Sequence, residues 1–184
     1  MSEKLQYQVV YFPEPVLRKR AEELAEIDDA VRETVSSMFR TMYEDNGVGL
    51  AAPQVGLRQR ILVINPTGDK EKPEEELALI NPTLIDRSGP VTSMEEGCLS
   101  FPGIYATIER PDRCTVRASL PDGSEIEREF EGFTSRVIQH EYDHLEGVLL
   151  SDRMSPAEKV RNKALLSELV EDFKDRRAKQ AAKQ

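Results

Sequence analysis

The two histidines of the chain lie in one short stretch, Gln139 to Gly147, which contains the run His140-Glu141-Tyr142-Asp143-His144. On an α-helix, positions i and i+4 lie on one face about a turn apart, so both imidazoles can bind a single metal ion. Glu141 is rotated by roughly 100° from His140. Its carboxylate can therefore flank the metal as a base for bound water. The pattern predicts a metal site, with two histidines on a partly buried helix as the alternative.

Two imidazoles leave a metal ion under-coordinated, and the sequence contains no third histidine. Cys98 is the better candidate for the third ligand, because soft sulfur suits zinc, iron and similar ions. A small buried hydrophobic residue is the alternative interpretation of this cysteine. Cys114 lies within a strand-like pattern and is expected in the core.

Composition limits the classes of protein to which the chain can belong. With 25 Lys and Arg against 34 Asp and Glu, the net charge is −9, which disfavours general nucleic-acid binding, and no DNA partner is expected. Two cysteines make no disulfide framework. The N-terminus lacks a signal-peptide pattern, and no run of 18 apolar residues occurs. We expect one domain over residues 1–184, soluble, cytoplasmic and without a membrane partner.

The histidine motif is expected on a helix of its own. Gly132 breaks the preceding strand-like run, and Thr134 or Ser135 is predicted to cap the first turn. Gly147 is predicted to end the helix.

The remaining pattern alternates strands and two further helices. The segment Gly47–Gly56 holds three glycines and a proline, which argues against a regular helix or a central strand. Its glycines permit close approach of a ligand, and a tight packing turn is the alternative. Residues 67–76 are predicted to form an exposed charged loop. The predicted strands are Tyr7–Phe12, Arg60–Ile64, Leu77–Ile85 and a meander over Tyr105–Phe130; the predicted helices are Asp28–Glu44 and Pro156–Ala181.

The last predicted helix is expected to bury one apolar face. Its end, from Lys174 to Lys183, carries five basic residues against one acid, and residues 157–184 are taken as a C-terminal helix with a basic tail. The residues of the predicted apolar face are Val160, Ala164, Leu165, Leu169, Val170 and Phe173.

Three motifs occur in a fixed order along the chain. They read Gly47-Val48-Gly49-Leu50-Ala51-Ala52-Pro53-Gln54, then Glu96-Gly97-Cys98-Leu99-Ser100, then Gln139-His140-Glu141-Tyr142-Asp143-His144. Together they resemble the motifs of peptide deformylases, and the resemblance runs to about Met154. It implies an α+β fold, with mostly antiparallel strands around a central metal-binding helix and a long C-terminal helix.

The resemblance also implies an activity and its chemistry. Peptide deformylases remove the N-formyl group from nascent polypeptides that begin with formylmethionine, and they release formate. Cys98, His140 and His144 would hold the metal and leave a fourth position for water. Glu141 would take the proton of that water and deliver it to the leaving amine. By the same resemblance, the side-chain amide of Gln54 and the backbone N–H of Leu99 would stabilise the oxyanion.

Substrate contacts follow from the same resemblance. Val48 and Gly49 are expected to pair with an extended peptide through their backbone, with Gly97 also in the peptide site. Phe133 and Val137 are expected to line an apolar pocket for the methionine side chain, with ordinary core packing as the alternative.

Two further expectations concern residues around the site. Glu96 and Arg110 are expected to form a buried ion pair behind it. Tyr105 stands where some family members carry an arginine, which puts in doubt a clamp on the substrate from that arginine.

The expected cofactor is one divalent metal ion per chain. The family uses ferrous iron, which is the expected ion in vivo; zinc, nickel and cobalt are the alternatives in purified protein, and affinity order alone does not decide occupancy. Contact of the basic tail with the ribosome is a hypothesis based on proposals for relatives, with a frayed, solvated terminus as the alternative.

Two other functions are alternatives to deformylation. A zinc endopeptidase would share the His-Glu-x-x-His motif, but it takes a third His or Glu ligand downstream, and the chain has no further His. A non-catalytic metal- or peptide-binding module would have no need of Glu141 and Gln54.

Overall fold

The computed structural model describes residues 6–182. Residues 1–5, part of the stretch that lacks a signal-peptide pattern, and residues 183–184, at the end of the predicted basic tail, lie outside the described residues. Within the described range, no helix is long and apolar enough to cross a membrane.

Five strands form one antiparallel sheet in which each strand pairs with the next along the chain. Its short edge strand lies in the glycine-rich segment, as expected for a stretch that argued against a central strand. The sheet and the helices together make an α+β fold, which confirms the prediction. The strands are β1 (Gly49–Ala51), β2 (Ile61–Ile64), β3 (Leu77–Gly97), β4 (Tyr105–Ser119) and β5 (Glu125–Glu131).

Strand β3 is far longer than the predicted Leu77–Ile85. Its first residues pair with β2, and the strand pairs with β4 from Ile80 to Gly97, with register shifts that absorb Asn81 at φ 50° and Gly89 at φ 80°. These bulges bend the strand, so that it can continue past the core to Gly97. The residue that follows, Cys98, is thereby delivered to the end of the sheet.

Helix α2 (Gly132–Leu145) carries the histidine motif and packs across the sheet. Val137, Ile138 and Leu145 enter a core cluster with strand residues that include Leu62 and Val116. Burial of this apolar stripe leaves the histidines on the helix face nearest the end of β3.

The ends of α2 differ in how well they were predicted. The helix begins at Gly132, and Glu131 precedes it without a side-chain capping bond. The predicted cap at Thr134 or Ser135 is therefore wrong: Gly132 has a φ of 60°, which lets the chain turn directly from β5 into the helix. The predicted end at Gly147 is confirmed, since this residue has a φ of 73° just beyond the last turn.

The N-terminal part of the chain contains one correct and one wrong prediction. Helix α1 (Asp29–Glu44) is capped by the Asp28 side chain, which accepts a hydrogen bond from the N–H of Val31. The predicted strand Tyr7–Phe12 is irregular instead. It bonds to two separate segments, because the N–H of Val10 donates to the Gln54 carbonyl and that of Phe12 to the Ser100 carbonyl.

The predicted final helix is broken in two. A short helix α3 (Leu150–Arg153) precedes α4 (Pro156–Arg161) and α5 (Lys163–Ala181). The break falls at Asn162, a buried residue whose side-chain amide donates to the carbonyls of Tyr105 and Glu158.

The predicted apolar face of that helix is only partly correct. Val160 is 75% exposed and Leu165 is also exposed, whereas Leu166 and Leu169 pack against a buried cluster. The turn at Asn162 rotates the second helix relative to the first, so one continuous stripe cannot be buried.

Candidate metal centre and peptide cleft

The three predicted metal ligands come together although they lie far apart in the sequence. Donor atoms of Cys98, His140 and His144 all lie within 4.8 Å of one another, and Cys98 Sγ is 3.3 Å from His144 Nε2. Cys98 follows the end of β3, and the histidines lie one turn apart on α2. These distances would allow all three donor atoms to bind one metal ion.

The chemistry of these donors suits a divalent transition-metal ion. Nδ1 of His140 lies 3.0 Å from Glu96 Oε2, which orients the ring and leaves its other nitrogen for a ligand role. Burial holds the pKa of His144 well below its ordinary value, which favours the neutral imidazole that ligation requires. A thiol and two imidazoles form a donor set used for zinc and iron. The residues present therefore fit a metal ion.

Glu141 is buried beside this donor group. Burial raises the pKa of its carboxyl group to about 7, and its Oε2 has no hydrogen-bond partner among residues 6–182. The other carboxylate oxygen lies against the backbone of Gly49, where an added Cβ would be 2.5 Å from Oε1. The carboxylate is therefore buried close to Gly49, with Oε2 unpartnered within the same described residues.

Gln54 lies at the other side of Cys98, in the short 3₁₀ helix Ala52–Val55. Its Oε1 accepts from the Ala51 N–H at 2.8 Å, which fixes the orientation of the amide. Its Nε2 therefore donates toward Ser100 Oγ at 3.3 Å and Cys98 Sγ at 3.6 Å. This places an N–H donor next to the predicted metal ligands.

An open cleft of about 560 Å³ passes over this group. Gly49 lies on one wall and Gly97 on the other, at edges of β1 and β3 that no strand covers within residues 6–182. The Val48 carbonyl already accepts a hydrogen bond from the Asn65 N–H. Gly49 is therefore the next residue whose backbone groups can form hydrogen bonds at the uncovered edge of β1. The predicted site residues that line the cleft are Val48, Gly49, Gly97, Cys98, Leu99, Phe133, Val137, His140 and Glu141.

The two residues predicted for the methionine pocket differ in burial. Val137 is buried, whereas Phe133, one turn earlier on α2, is 44% exposed at the edge of the cleft. Both contribute apolar surface to the same wall. Their role toward substrate stays a prediction.

Residues 6–160 match the family model for polypeptide deformylase. The chain belongs to this family.

Individual relatives agree with that assignment. The chain is 46% identical to the peptide deformylase of Thermotoga neapolitana over 154 residues, which covers 84% of this chain and 90% of the relative. It is 45% identical to the chloroplastic peptide deformylase 1B of Oryza sativa, covering 80% of this chain but only 54% of that protein. A crystal structure of the Plasmodium falciparum peptide deformylase superposes with a TM-score of 0.89 at 40% identity, covering 91% of this chain and 98% of the other.

As a member of this family, the chain is a hydrolase that removes the N-formyl group from nascent peptides and depends on a metal ion. The family match favours deformylation over the endopeptidase alternative drawn from the His-Glu-x-x-His motif. The three donor atoms described above are a candidate site for the ion on which the family depends.

Behind the deformylase centre lies a buried group of ionic side chains. The predicted pair is present: Arg110 donates to Glu96 through Nε at 2.7 Å and Nη2 at 3.0 Å. Desolvation alone would raise the pKa of Glu96, but hydrogen bonds from His140 and Arg110 lower it below its ordinary value.

Sequence reasoning missed three members of this group. Arg136 donates to Glu96 Oε1 at 2.7 Å, and Arg110 and Arg153 both donate to Asp143. One signal was available, since Arg136 lies four residues before His140 and so shares its helix face. The pairing of Asp143 with Arg153 had no such signal.

Tyr105 lines the mouth of the cleft. Its ring lies over the backbone of Gly97, where an added Cβ would be 2.8 Å from Cε1. The side chain is 56% exposed. An aromatic face, without a formal charge, therefore borders this part of the cleft.

Proposed function

We propose that Cys98, His140 and His144 hold one divalent metal ion per chain, and that Glu141 acts beside it as the base in deformylation of formylmethionyl chains. The observation that carries this proposal is the buried Glu141, whose unpartnered carboxylate oxygen lies at the same cleft as the three donors. A metal ion held there would supply Lewis acidity, which makes water nucleophilic near neutral pH.

The role of Glu141 is to move one proton. Its carboxylate accepts a proton from the water whose oxygen bonds to the formyl carbon, and then delivers that proton to the amide nitrogen as the carbon–nitrogen bond breaks. The products are formate and a peptide with a free amino group. A carboxyl group with a pKa raised to about 7 by burial is suited to both transfers.

Gln54 and Leu99 are proposed to stabilise the developing oxyanion. The bond from Ala51 to Gln54 Oε1 holds the amide so that Nε2 faces the donor group, before any substrate binds. Leu99, next in sequence to Cys98, lines the cleft and would contribute its backbone N–H. Donors that need no reorganisation contribute most in a site that excludes water.

The peptide is proposed to lie extended between Gly49 and Gly97, adding a strand between two uncovered edges. Backbone pairing of this kind ignores side-chain identity, which suits an enzyme that must accept many nascent chains. Val48 would border the peptide chiefly through its side chain, because its carbonyl is already bonded. Phe133 and Val137 are proposed to contact the methionine side chain.

Ferrous iron is the proposed ion in the cell, with zinc, nickel or cobalt able to occupy the same donors. The test is metal analysis of protein purified without oxygen, together with formate release from a formylmethionyl peptide. Cys98→Ser should lower both metal content and activity. Equal metal content in this variant would refute the proposed ligand set.

The role of Glu141 is tested with Glu141→Ala in metal-loaded protein. Formate release should fall sharply while metal content stays at one ion per chain. Formylated and unformylated peptides are offered side by side, and their products identified by mass. Retained formate release would refute the role of Glu141, and internal cleavage of either peptide would favour a protease.

We also propose that the exposed basic end of α5 contacts the ribosome. The residues from Lys174 to Ala181 lie on the surface and include Arg176, Arg177 and Lys179. Truncation after Phe173 should weaken co-sedimentation with ribosomes while small-peptide activity is kept, and unchanged co-sedimentation would remove the idea. The enzyme would then act in the cytoplasm, where its formylated chains are made.

A further inference from the structure

Asp143 lies between the two histidines of α2, directly before His144 and three residues after His140. Its carboxylate is buried and belongs neither to the donor group nor to the cleft lining. Arg110 donates to Oδ2 at 2.9 Å. Arg153 donates to both oxygens, from Nε to Oδ2 at 2.9 Å and from Nη2 to Oδ1 at 2.6 Å. Two arginines from different elements therefore hold the helix at this point.

These contacts continue to the other histidine. Arg110 also donates twice to Glu96, and Glu96 Oε2 lies 3.0 Å from His140 Nδ1. Arg153 is thus linked to both histidines through Asp143. His144 is the next residue in the chain after Asp143, and His140 contacts Glu96, which shares Arg110 with Asp143.

Arg153 differs from the other members of the series in its position. It is the last residue of α3, a separate helix, and its side chain is 41% exposed, against 6% for the Asp143 side chain. Among residues 6–182 it supplies the side-chain hydrogen bond to Asp143 Oδ1. Planar two-point pairing fixes both the distance and the rotation of a carboxylate, so Arg153 sets the orientation of Asp143 from outside the core.

We propose that Arg153 is a positioning residue for the metal centre, acting through Asp143 to hold the segment of α2 that carries both imidazoles. This inference rests on the proposed ligands Cys98, His140 and His144. Outer partners that orient ligands change metal affinity without touching the metal. Loss of Arg153 should therefore speed the release of the ion while leaving the cleft and Glu141 in place.

The test measures metal release from full-length protein loaded with cobalt, using excess chelator and following the loss of cobalt–thiolate absorption. Arg153→Ala should release cobalt about 10-fold faster than wild type, the lower end of the range for outer partners of metal ligands. Arg153→Lys keeps the charge but not the two-point geometry, so its rate should lie between the two. Added cobalt should restore formate release in both variants.

Arg18→Ala is the matched control. Arg18 is similarly exposed and pairs with Asp152 on the same helix α3, but it does not contact Asp143. Its release rate should equal that of wild type. Equal rates for Arg153→Ala and wild type would overturn the proposal, as would equal acceleration by Arg18→Ala, which would assign the effect to the docking of α3.

A failure of the underlying ligand assignment would look different. In that case Cys98→Ser would hold cobalt as tightly as wild type, whatever the behaviour of Arg153. Thermal unfolding of each variant without metal checks the fold. If Arg153→Ala does not fold, the rate for Arg153→Lys decides, and a wild-type rate there overturns the proposal.

Discussion

Replacement of Gly49 by alanine should disable the proposed base while leaving every proposed ligand in place. A Cβ added at Gly49 would lie 2.5 Å from Glu141 Oε1, 2.9 Å from its Cγ and 2.9 Å from Val137 Cγ1. Ordinary contacts begin near 3.4 Å, so the carboxylate must move by about 0.9 Å, the difference between 3.4 and 2.5 Å. The new methyl group removes no backbone donor or acceptor, so proposed peptide pairing is retained.

A displacement of about 1 Å in a catalytic group can lower turnover by about 100-fold. We therefore expect kcat for formate release to fall by about that factor, with KM changed much less. Overpacking of this kind also costs roughly 1–3 kcal/mol of folding free energy. The assay is steady-state formate release at matched metal content, with the unfolding midpoint measured in the same samples.

Gly97→Ala is the control on the opposite wall. Its added Cβ would lie 2.8 Å from Tyr105 Cε1, but that ring is half-exposed and can swing into solvent. The variant should keep most of its kcat. If Gly49→Ala turned over at the wild-type rate while folded and metal-loaded, the position of Glu141 against Gly49 would not matter, and the reasoning would fail.

Three further outcomes follow from the same geometry. Gln54→Ala should lower kcat by about 100- to 1,000-fold, the usual effect of removing one oxyanion donor. The same formate assay measures kcat and KM, and a change confined to KM would argue against oxyanion stabilisation by Gln54. Gly147→Ala should lower the free energy of unfolding by about 1–3 kcal/mol, because φ is 73° and the added Cβ would lie 2.5 Å from the Arg18 carbonyl oxygen. Denaturant unfolding of the metal-free protein measures the loss. An unchanged unfolding midpoint would contradict the prediction. Removal of metal by a chelator should abolish formate release, and added Fe²⁺, Ni²⁺ or Co²⁺ should restore it; activity that persists without metal would contradict the proposed chemistry.

The sequence by itself determined the features that depend on local spacing. Two histidines four residues apart, with Glu141 between them, specify one helix face, and Gly147 specifies where that helix ends. The α+β class followed only from the resemblance to peptide deformylases that the three motifs carry. The order of the three motifs was sufficient for the family.

Local patterns failed where distant segments decide the conformation. Tyr7–Phe12 reads as a strand but bonds to two separate segments, and the final helix breaks at Asn162 because its amide bonds to Tyr105. Neither partner can be read from nearby residues. Thr134 and Ser135 are good caps, yet the positive φ of Gly132 starts the helix earlier.

Only the tertiary structure decided the surroundings of the centre. The bulged length of β3 brings Cys98 to His144, and the contact of Glu141 with Gly49 depends on how α2 lies across β1. Hydrogen bonds from Arg153 in α3 and Arg110 in β4 to Asp143 in α2 join three elements. Such contacts link residues that are tens of positions apart, and no periodicity in the chain encodes which side chains will meet once the core excludes water.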